Sequence, residues 1–217
     1  MAGRREIVRV LLEAHGRTYA REAGIRMRDT PQPLYRLLVL SLLLSARIRA
    51  SVAVAAARAL ADAGLRDARA MREATWQQRV DALGEGGYRR YDERTATQLG
   101  DGAQLLIDEY GGDLRRLRAR ADGDGAALRS LLREVPGIGP TGAEIFLREA
   151  QGVWGEVAPL LDAKALQGAA AIGLPQEPKV LAGLVDRDQL PVLAAALVRV
   201  ALDKGAAGEV GRAVGRG

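Results

Sequence analysis

The stretch LLREVPGIGPTGAEIFLREA, residues 131–150, decides the fold of this chain. Its pattern predicts a helix that ends at Glu134, a tight turn over 136–139, and a new helix that opens at Pro140. Ile138 stands between two glycines and is expected to point inward as an apolar anchor. The sequence therefore predicts two helices joined by a short hairpin.

The glycines of this hairpin, Gly137 and Gly139, suit a phosphate ligand. Glycine permits a turn with positive φ, and the missing Cβ lets a phosphate approach the backbone. The helix that follows offers unpaired N–H groups and the positive end of its dipole to the same phosphate. These features predict a helix-hairpin-helix, which binds the DNA backbone without reading bases. The alternative is an αα-hairpin with a Pro-Gly turn. The expected DNA contacts in the hairpin are Pro136, Gly137, Ile138, Gly139, Thr141 and Gly142.

The composition indicates an all-α fold. The chain has 217 residues and 48% hydrophobic side chains, enough for one large domain or two small helical lobes. Aromatic residues make up only 4%, so Leu, Val, Ala and Ile must fill the core, and Ala and Leu favour helices. Few segments alternate apolar and polar residues, which argues against strands.

The charge and the cysteine count limit the partners and the chemistry. A net charge of +5 fits a partner that carries phosphates, although an arginine-rich composition without meaning for binding is the alternative. The chain has no Cys, which excludes disulfides, cysteine nucleophiles, zinc fingers and iron–sulfur clusters. The single histidine, His15, cannot build a His-based metal site, so we expect no resident metal.

From the sequence we expect neither a secretory signal nor a membrane span. The start, MAGRREIVRV, lacks the apolar core of a secretory signal, and the longest apolar stretch, 37–46, is too short for a membrane span. We therefore expect a cytoplasmic protein with access to the nucleoid and no membrane contact. The sequence does not determine the oligomeric state, and a monomer is expected.

Segment 135–143, VPGIGPTGA, resembles the hairpin of the endonuclease III and adenine-mismatch glycosylase superfamily, whose pattern runs Leu-Pro-Gly-Val/Ile-Gly-x-x-Thr-Ala. Three further segments resemble that superfamily in the same order. They are LLVLSLLLSAR at 37–47, GGYRRYDERTATQL at 86–99 and EVAPLLDAKAL at 156–166. The resemblance implies a two-lobed, all-α base-excision DNA glycosylase of the HhH-GPD type, here without the iron–sulfur cluster of many relatives.

The resemblance also implies a domain organisation. A helical barrel lobe is expected at 30–134, and a second lobe is expected to combine 1–29 with 135–204. The Gly-rich end of the chain, 205–217, is expected to be a flexible tail. In this arrangement the flipped nucleotide lies between the lobes, with Asp162 at the mouth of the cleft.

Asp162 occupies the position of the catalytic aspartate of this superfamily. The resemblance implies that its carboxylate stabilises the positive charge that develops at the anomeric carbon and orients or deprotonates the attacking water. The same position suits the N-cap of a helix that begins near Ala163. The two roles are compatible.

Thr141 and Lys164 bear on strand cleavage. Thr141 stands where bifunctional members carry the lysine that forms a Schiff base with the sugar, which threonine cannot do. The resemblance therefore implies a monofunctional enzyme that leaves an abasic site. Lys164 is a candidate for a displaced amine, against the alternatives of a phosphate contact or a solvated lysine. Ser41 replaces the glutamate of the adenine-removing branch, which disfavours adenine as the substrate.

Further candidates lie outside the hairpin. Arg47 falls where relatives carry a wedge glutamine, and Arg47 and Arg49 are candidates to fill the gap left by a flipped base and to contact phosphates. A solvated helix end is the alternative for both. Tyr88, Tyr91 and Trp154 are candidates for stacking on a base, against the alternative of core packing. The resemblance also leaves room for a monovalent cation at the hairpin carbonyl oxygens.

The leading interpretation is hydrolysis of the N-glycosidic bond of a damaged or mismatched base flipped from duplex DNA. Two alternatives stay open: a non-catalytic helix-hairpin-helix DNA-binding protein, and an abasic-site lyase that uses Lys164. No motif fixes which base is removed, because pocket specificity comes from side chains spread over several helices.

Overall fold

A computed structural model describes residues 3–215. Over this range the protein is all-α, as predicted, with 71% of residues in helices and no β-strand. The chain divides into two compact units, one formed by Ala20–Phe146 and the other by Met1–Tyr19 with Leu147–Gly217. Two lobes were predicted, but with boundaries at 29/30 and 134/135.

The helices are short and follow one another closely along the chain. In order they are α1 (Arg4–His15), α2 (Tyr19–Glu22), α3 (Pro31–Ser45), α4 (Ala50–Asp62), α5 (Ala68–Glu73), α6 (Trp76–Glu85), α7 (Asp92–Tyr110), α8 (Leu114–Arg120), α9 (Gly125–Glu134), α10 (Pro140–Ala150), α11 (Ala163–Ala171), α12 (Pro178–Ala182), α13 (Leu190–Leu202) and α14 (Lys204–Val214). Two 3₁₀ turns, Gly155–Val157 and Arg187–Gln189, interrupt the loops.

Helix α3 is the central element of the unit Ala20–Phe146. All but one of the residues from Leu34 to Leu43 are buried, because this helix is apolar all round. Pro31 opens it at a position where its missing N–H costs no hydrogen bond. Burying one leucine side chain contributes about 1.5–3 kcal/mol, so α3 provides a firm base for its neighbours.

The hairpin belongs to this same unit, and this explains why the predicted boundary at 134/135 differs from the observed one. Gly137 lies against Leu42 of α3, and Gly102 of α7 lies against Val135. The sequence predicts a boundary at 134/135, which assigns the hairpin to the second lobe. The unit instead extends to Phe146, within α10.

The other unit is built around α13, whose residues are largely buried. Helices α11 and α13 approach so closely that a Cβ at Gly168 would lie 1.9 Å from the carbonyl oxygen of Leu197. Helices α1 and α14 also pack against α13. The close approach fixes the position of α11, and therefore of the residue that precedes it, Asp162.

The predicted flexible tail is a helix in the structure. Ala206 and Val210 of α14 are buried at helical spacing, and the Asp203 carboxylate accepts a hydrogen bond from the Gly205 N–H at 2.8 Å. The glycines lower the helix propensity, but burial of the apolar face outweighs that cost. Arg216 and Gly217, the last residues of the predicted tail, lie outside the described residues. No helix in the described range is both long and apolar enough to cross a membrane.

Candidate nucleic-acid interface

The hairpin has the predicted form. Helix α9 ends at Glu134 and α10 begins at Pro140. The Ile138 N–H donates to the Val135 carbonyl oxygen at 2.9 Å, and the Ile138 side chain is 3% exposed, so it is the inward anchor that the sequence indicated. Gly137 has a φ of +87°, which L side chains rarely adopt.

The two hairpin glycines differ in what they require. A Cβ at Gly137 would lie 2.5 Å from Cδ1 of Leu42, so glycine is needed there for space as well as for its backbone conformation. Gly139 does not have a positive φ, and a Cβ there would meet nothing within 4 Å. One glycine therefore seats the hairpin on the core, and the other leaves its outer side open.

The inner side of the hairpin is apolar and packed. Leu42, Val135 and Ile138 help to line a cavity of about 20 Å³, which is too small for a ligand. An ion pair between Nε of Arg129 and Oε1 of Glu144, at 2.5 Å, joins α9 to α10. The hairpin is therefore held by packing beneath and by this ion pair between its helices.

The outer side of the hairpin carries unpaired hydrogen-bond donors. The backbone N–H groups of Gly139, Thr141 and Gly142 have no acceptor among the described residues, and the first bond of α10 runs from the Ala143 N–H to the Gly139 carbonyl oxygen at 3.0 Å. These donors lie at the N-terminus of an 11-residue helix, where the helix dipole is positive. The arrangement suits an anion.

An open groove of about 440 Å³ runs beside these donors. Besides the hairpin residues it is lined by Ser45, Arg94, Gln98 and Arg133. Both arginines are exposed, and neither makes a hydrogen bond or ion pair within residues 3–215. No acidic side chain of the described chain lines the groove. The groove is therefore electropositive.

The predicted wedge residues lie in the loop between α3 and α4. Arg47 and Arg49 are exposed, and neither forms an ion pair with a described residue, so both stay available for a phosphate. Ser41 is fully buried, and its Oγ donates to the Leu37 carbonyl oxygen at 2.8 Å. Ser41 is therefore satisfied inside α3.

In the other unit, Asp162 is the N-cap of α11, one of its two predicted roles. Its Oδ1 accepts a hydrogen bond from the Ala165 N–H at 2.8 Å. Its Oδ2 is paired with the guanidinium of Arg148, whose side chain is 4% exposed, against 13% for Asp162. Both carboxylate oxygens therefore have partners, and the arginine offsets the negative charge.

The loop that leads to Asp162 is anchored by Gln151. The side-chain amide of Gln151 donates to the carbonyl oxygens of Arg148 and Leu160, and its Oε1 accepts from the Leu160 N–H at 2.9 Å. Gln151 itself is 1% exposed. Sequence reasoning missed both Arg148 and Gln151, because nothing in their local pattern shows which distant groups they meet.

The remaining candidates are on the surface or in the core. Lys164 is exposed, and its Nζ donates to Oε1 of Gln167 at 2.9 Å, which fits the solvated alternative. Tyr88 and Trp154 are buried, so neither can stack on a base without leaving the core. Tyr91 is partly exposed beneath the Arg90 guanidinium, 5.2 Å from its ring centroid. Among the described residues, no group of three or more His, Asp or Glu could hold a metal ion.

No protein-family model and no curated protein matches the sequence. The structure is similar to that of endonuclease III in a trapped covalent intermediate with DNA, an estranged-adenine complex. The identity is 16%, the TM-score is 0.49, and the similarity covers 91% of this chain and 85% of that chain.

Proposed function

We propose that this protein binds the backbone of duplex DNA through the hairpin at 136–142. The observation that carries the proposal is the set of unpaired N–H groups at Gly139, Thr141 and Gly142. They lie at the positive end of α10, beside a groove with two unpaired arginines and no acidic lining residue among those described. A phosphate is the anion of DNA that such donors bind.

A matched pair of glycine variants tests this proposal. Gly139→Ala adds a methyl group on the open side, where it meets no protein atom within 4 Å and obstructs an incoming phosphate. We expect duplex affinity to fall about tenfold, the size of one lost charge-assisted hydrogen bond. Gly84→Ala, in α6, also meets no atom within 4 Å and serves as the control. Fluorescence anisotropy with a labelled duplex measures both. Failure of the unmodified protein to bind duplex DNA at low salt would overturn the proposal.

Base excision by Asp162 is the second candidate function. It is favoured by the rigid placement of a partly exposed carboxylate at the start of α11, because a fixed anion can stabilise a developing sugar cation. It is opposed by Arg148, which offsets the negative charge that such stabilisation needs. Thr141 supplies no amine for a Schiff base, so any base excision through Asp162 is expected to leave an unbroken abasic site.

A base-release assay separates the two functions. Duplexes that carry uracil, hypoxanthine, oxidised pyrimidines, alkylpurines or mismatches are incubated with the protein and analysed with and without alkali. If Asp162 is catalytic, Arg148→Met retains base release, whereas Arg148→Met combined with Asp162→Asn abolishes it. Both variants lack the buried cation, so a difference between them reports the carboxylate. Binding without base release on every substrate would leave DNA binding alone.

The lyase alternative has its own test. A Schiff base between Lys164 and an abasic sugar would be trapped by borohydride as a covalent complex. We expect no trapped complex, because Lys164 is an exposed residue paired with Gln167. A covalent complex that forms with the unmodified protein and is lost in Lys164→Ala would show that the protein is an abasic-site lyase.

The hairpin also offers oxygen ligands. The carbonyl oxygens of Pro136, Gly137 and Ile138 accept no hydrogen bond from a described residue. Oxygen is the donor that hard cations prefer, and we include a monovalent cation at these carbonyls in the proposal. Duplex affinity in potassium chloride should then exceed that in tetramethylammonium chloride at equal ionic strength.

A further inference from the structure

Arg94 occupies a position in α7 that helix stability does not explain. It lies in the first turn of the helix, after Asp92 and Glu93. The positive end of the helix dipole favours those two carboxylates and disfavours a cation. Arg94 therefore destabilises the start of α7 and has no hydrogen-bond or ion-pair partner among the described residues to offset that cost. A residue of this kind points to a ligand outside the chain.

Arg133 lies on the groove from a different helix, in the last turn of α9. Its side chain, like that of Arg94, is exposed and has no partner among residues 3–215. Two helices that are separate in sequence thus each bring one guanidinium to the groove beside the hairpin donors. Each guanidinium can donate to a phosphate from a planar fork.

The groove is larger than one phosphate requires. The groove is open to solvent and has a volume of about 440 Å³, so it can hold more than one phosphate group. The donors that line the groove come from three helices, because Arg94 lies in α7, Arg133 in α9 and the unpaired N–H groups at the start of α10. Phosphates joined in one strand can meet donors on all three helices.

We propose that the groove is a track for one DNA strand, in which Arg94 and Arg133 each contact a phosphate adjacent to the one held by the hairpin. This inference rests on the proposed binding of the DNA backbone and names its ligand more closely. The ligand is a continuous phosphodiester strand rather than an isolated phosphate. Ser45, Gln98 and Thr141, the neutral polar residues of the lining, offer no negative charge to repel it.

The salt dependence of binding tests the inference. Affinity for a lesion-free duplex of about 20 base pairs is measured over a series of potassium chloride concentrations, by fluorescence anisotropy. The slope of log K against log salt is negative, and each lost phosphate contact reduces its magnitude by about 0.9 for duplex DNA. We expect Arg94→Ala and Arg133→Ala each to reduce the magnitude of the slope by this amount and to lower affinity about tenfold. Arg94→Lys should keep the slope, because the charge is retained.

Arg58→Ala is the matched control. Arg58 is an exposed arginine of α4 that does not line the groove and has no partner within the described residues. Its removal takes away the same charge, so its slope should equal that of the unmodified protein. Thermal unfolding completes the control, because Arg94→Ala should leave Tm unchanged or raise it.

The outcomes distinguish this inference from the proposed function. Duplex binding with an unchanged slope in both groove variants overturns the strand track and leaves hairpin binding intact. No binding by the unmodified protein overturns both. The same series with one strand of the duplex is the last test. If the track holds one strand, each arginine variant should reduce the magnitude of the slope with the single strand as well as with the duplex. A reduction seen with the duplex but not with the single strand would mean that the arginines contact a different strand from the hairpin, which also overturns the track.

Discussion

The hairpin at 136–142 and the loop at 151–162 differ in whether their polar groups have hydrogen-bond partners within the chain. On the hairpin, three backbone N–H groups and two neighbouring arginines have no partner among the described residues. On the loop, both oxygens of Asp162 and all the polar atoms of the Gln151 amide are bonded within the chain. The resemblance implies function in both regions, but the hairpin donors are unpaired whereas both oxygens of Asp162 already have partners within the chain.

This difference separates binding from structure. Leaving a buried polar group unpaired costs about 1–3 kcal/mol, so pairing within the chain stabilises the fold. An exposed group without a partner pays no such cost and can bind a ligand. The Asp162 loop therefore meets the requirements of a folded core, and the hairpin meets those of a surface that binds an anion.

The largest effect should come from Asp162 itself. Asp162→Asn keeps an oxygen for the Ala165 N–H but leaves the Arg148 guanidinium buried without an opposite charge. Removing one partner of a buried ion pair costs about 3–5 kcal/mol. We expect that loss in the free energy of unfolding, measured with urea.

Arg148→Met added to Asp162→Asn provides the control. It removes the unpaired cation and fills its volume with an apolar side chain, so most of the lost stability should return. A single Asp162→Asn variant that unfolds within about 0.5 kcal/mol of the unmodified protein would contradict the structural role of the pair.

Gly137→Ala should cause the second-largest loss of stability, because it disrupts the hairpin. The positive φ costs an L residue about 1–2 kcal/mol, and the overlap with Leu42 adds about 1–3 kcal/mol. We expect the free energy of unfolding to fall by about 2–5 kcal/mol in urea denaturation. Gly139→Ala, two residues away, should stay within about 0.5 kcal/mol. Equal losses in the two variants would show that the outer side of the hairpin is not open.

The hairpin was predictable because its determinants are local. Gly137, Ile138 and Pro140 specify the turn, the anchor and the helix start within a few residues of one another. The N-cap role of Asp162 was predictable for the same reason. The all-α fold followed from composition and helical spacing alone.

The rest depends on contacts that are distant in sequence. Arg148 pairs with a carboxylate that follows it by 14 positions, and Gln151 with the backbone nine positions on. The groove arginines, Arg94 and Arg133, are 39 positions apart in sequence and line the same groove only in the folded structure. The prediction of a flexible tail at 205–217 was wrong, because its glycines indicated flexibility whereas burial of Val210 stabilises the helix.

Gln151→Leu should have the next smaller effect. The substitution leaves the Leu160 N–H without its acceptor in the buried loop, which costs about 1–3 kcal/mol in stability. Urea denaturation measures the loss. Gln167→Leu is the control, because that glutamine is exposed on α11 and contacts only Lys164 through its side-chain oxygen. A Gln151 variant as stable as the control would mean that the loop is not held by this amide.

The substitution with the smallest expected effect, Glu144→Gln, tests whether positive charge around the hairpin favours DNA binding. Glu144 is the acidic partner of Arg129, and the two side chains are 34% and 40% exposed. An ion pair this exposed contributes about 0–1 kcal/mol, so Glu144→Gln should change stability by no more than that.

The substitution also frees one positive charge beside the hairpin, and we expect duplex affinity to rise about twofold, as an exposed charge contributes little. Glu85→Gln, on α6, removes the same charge from an exposed position that does not line the groove. An equal rise in both variants would assign the effect to net charge, and a rise confined to Glu144→Gln would assign it to the field at the hairpin.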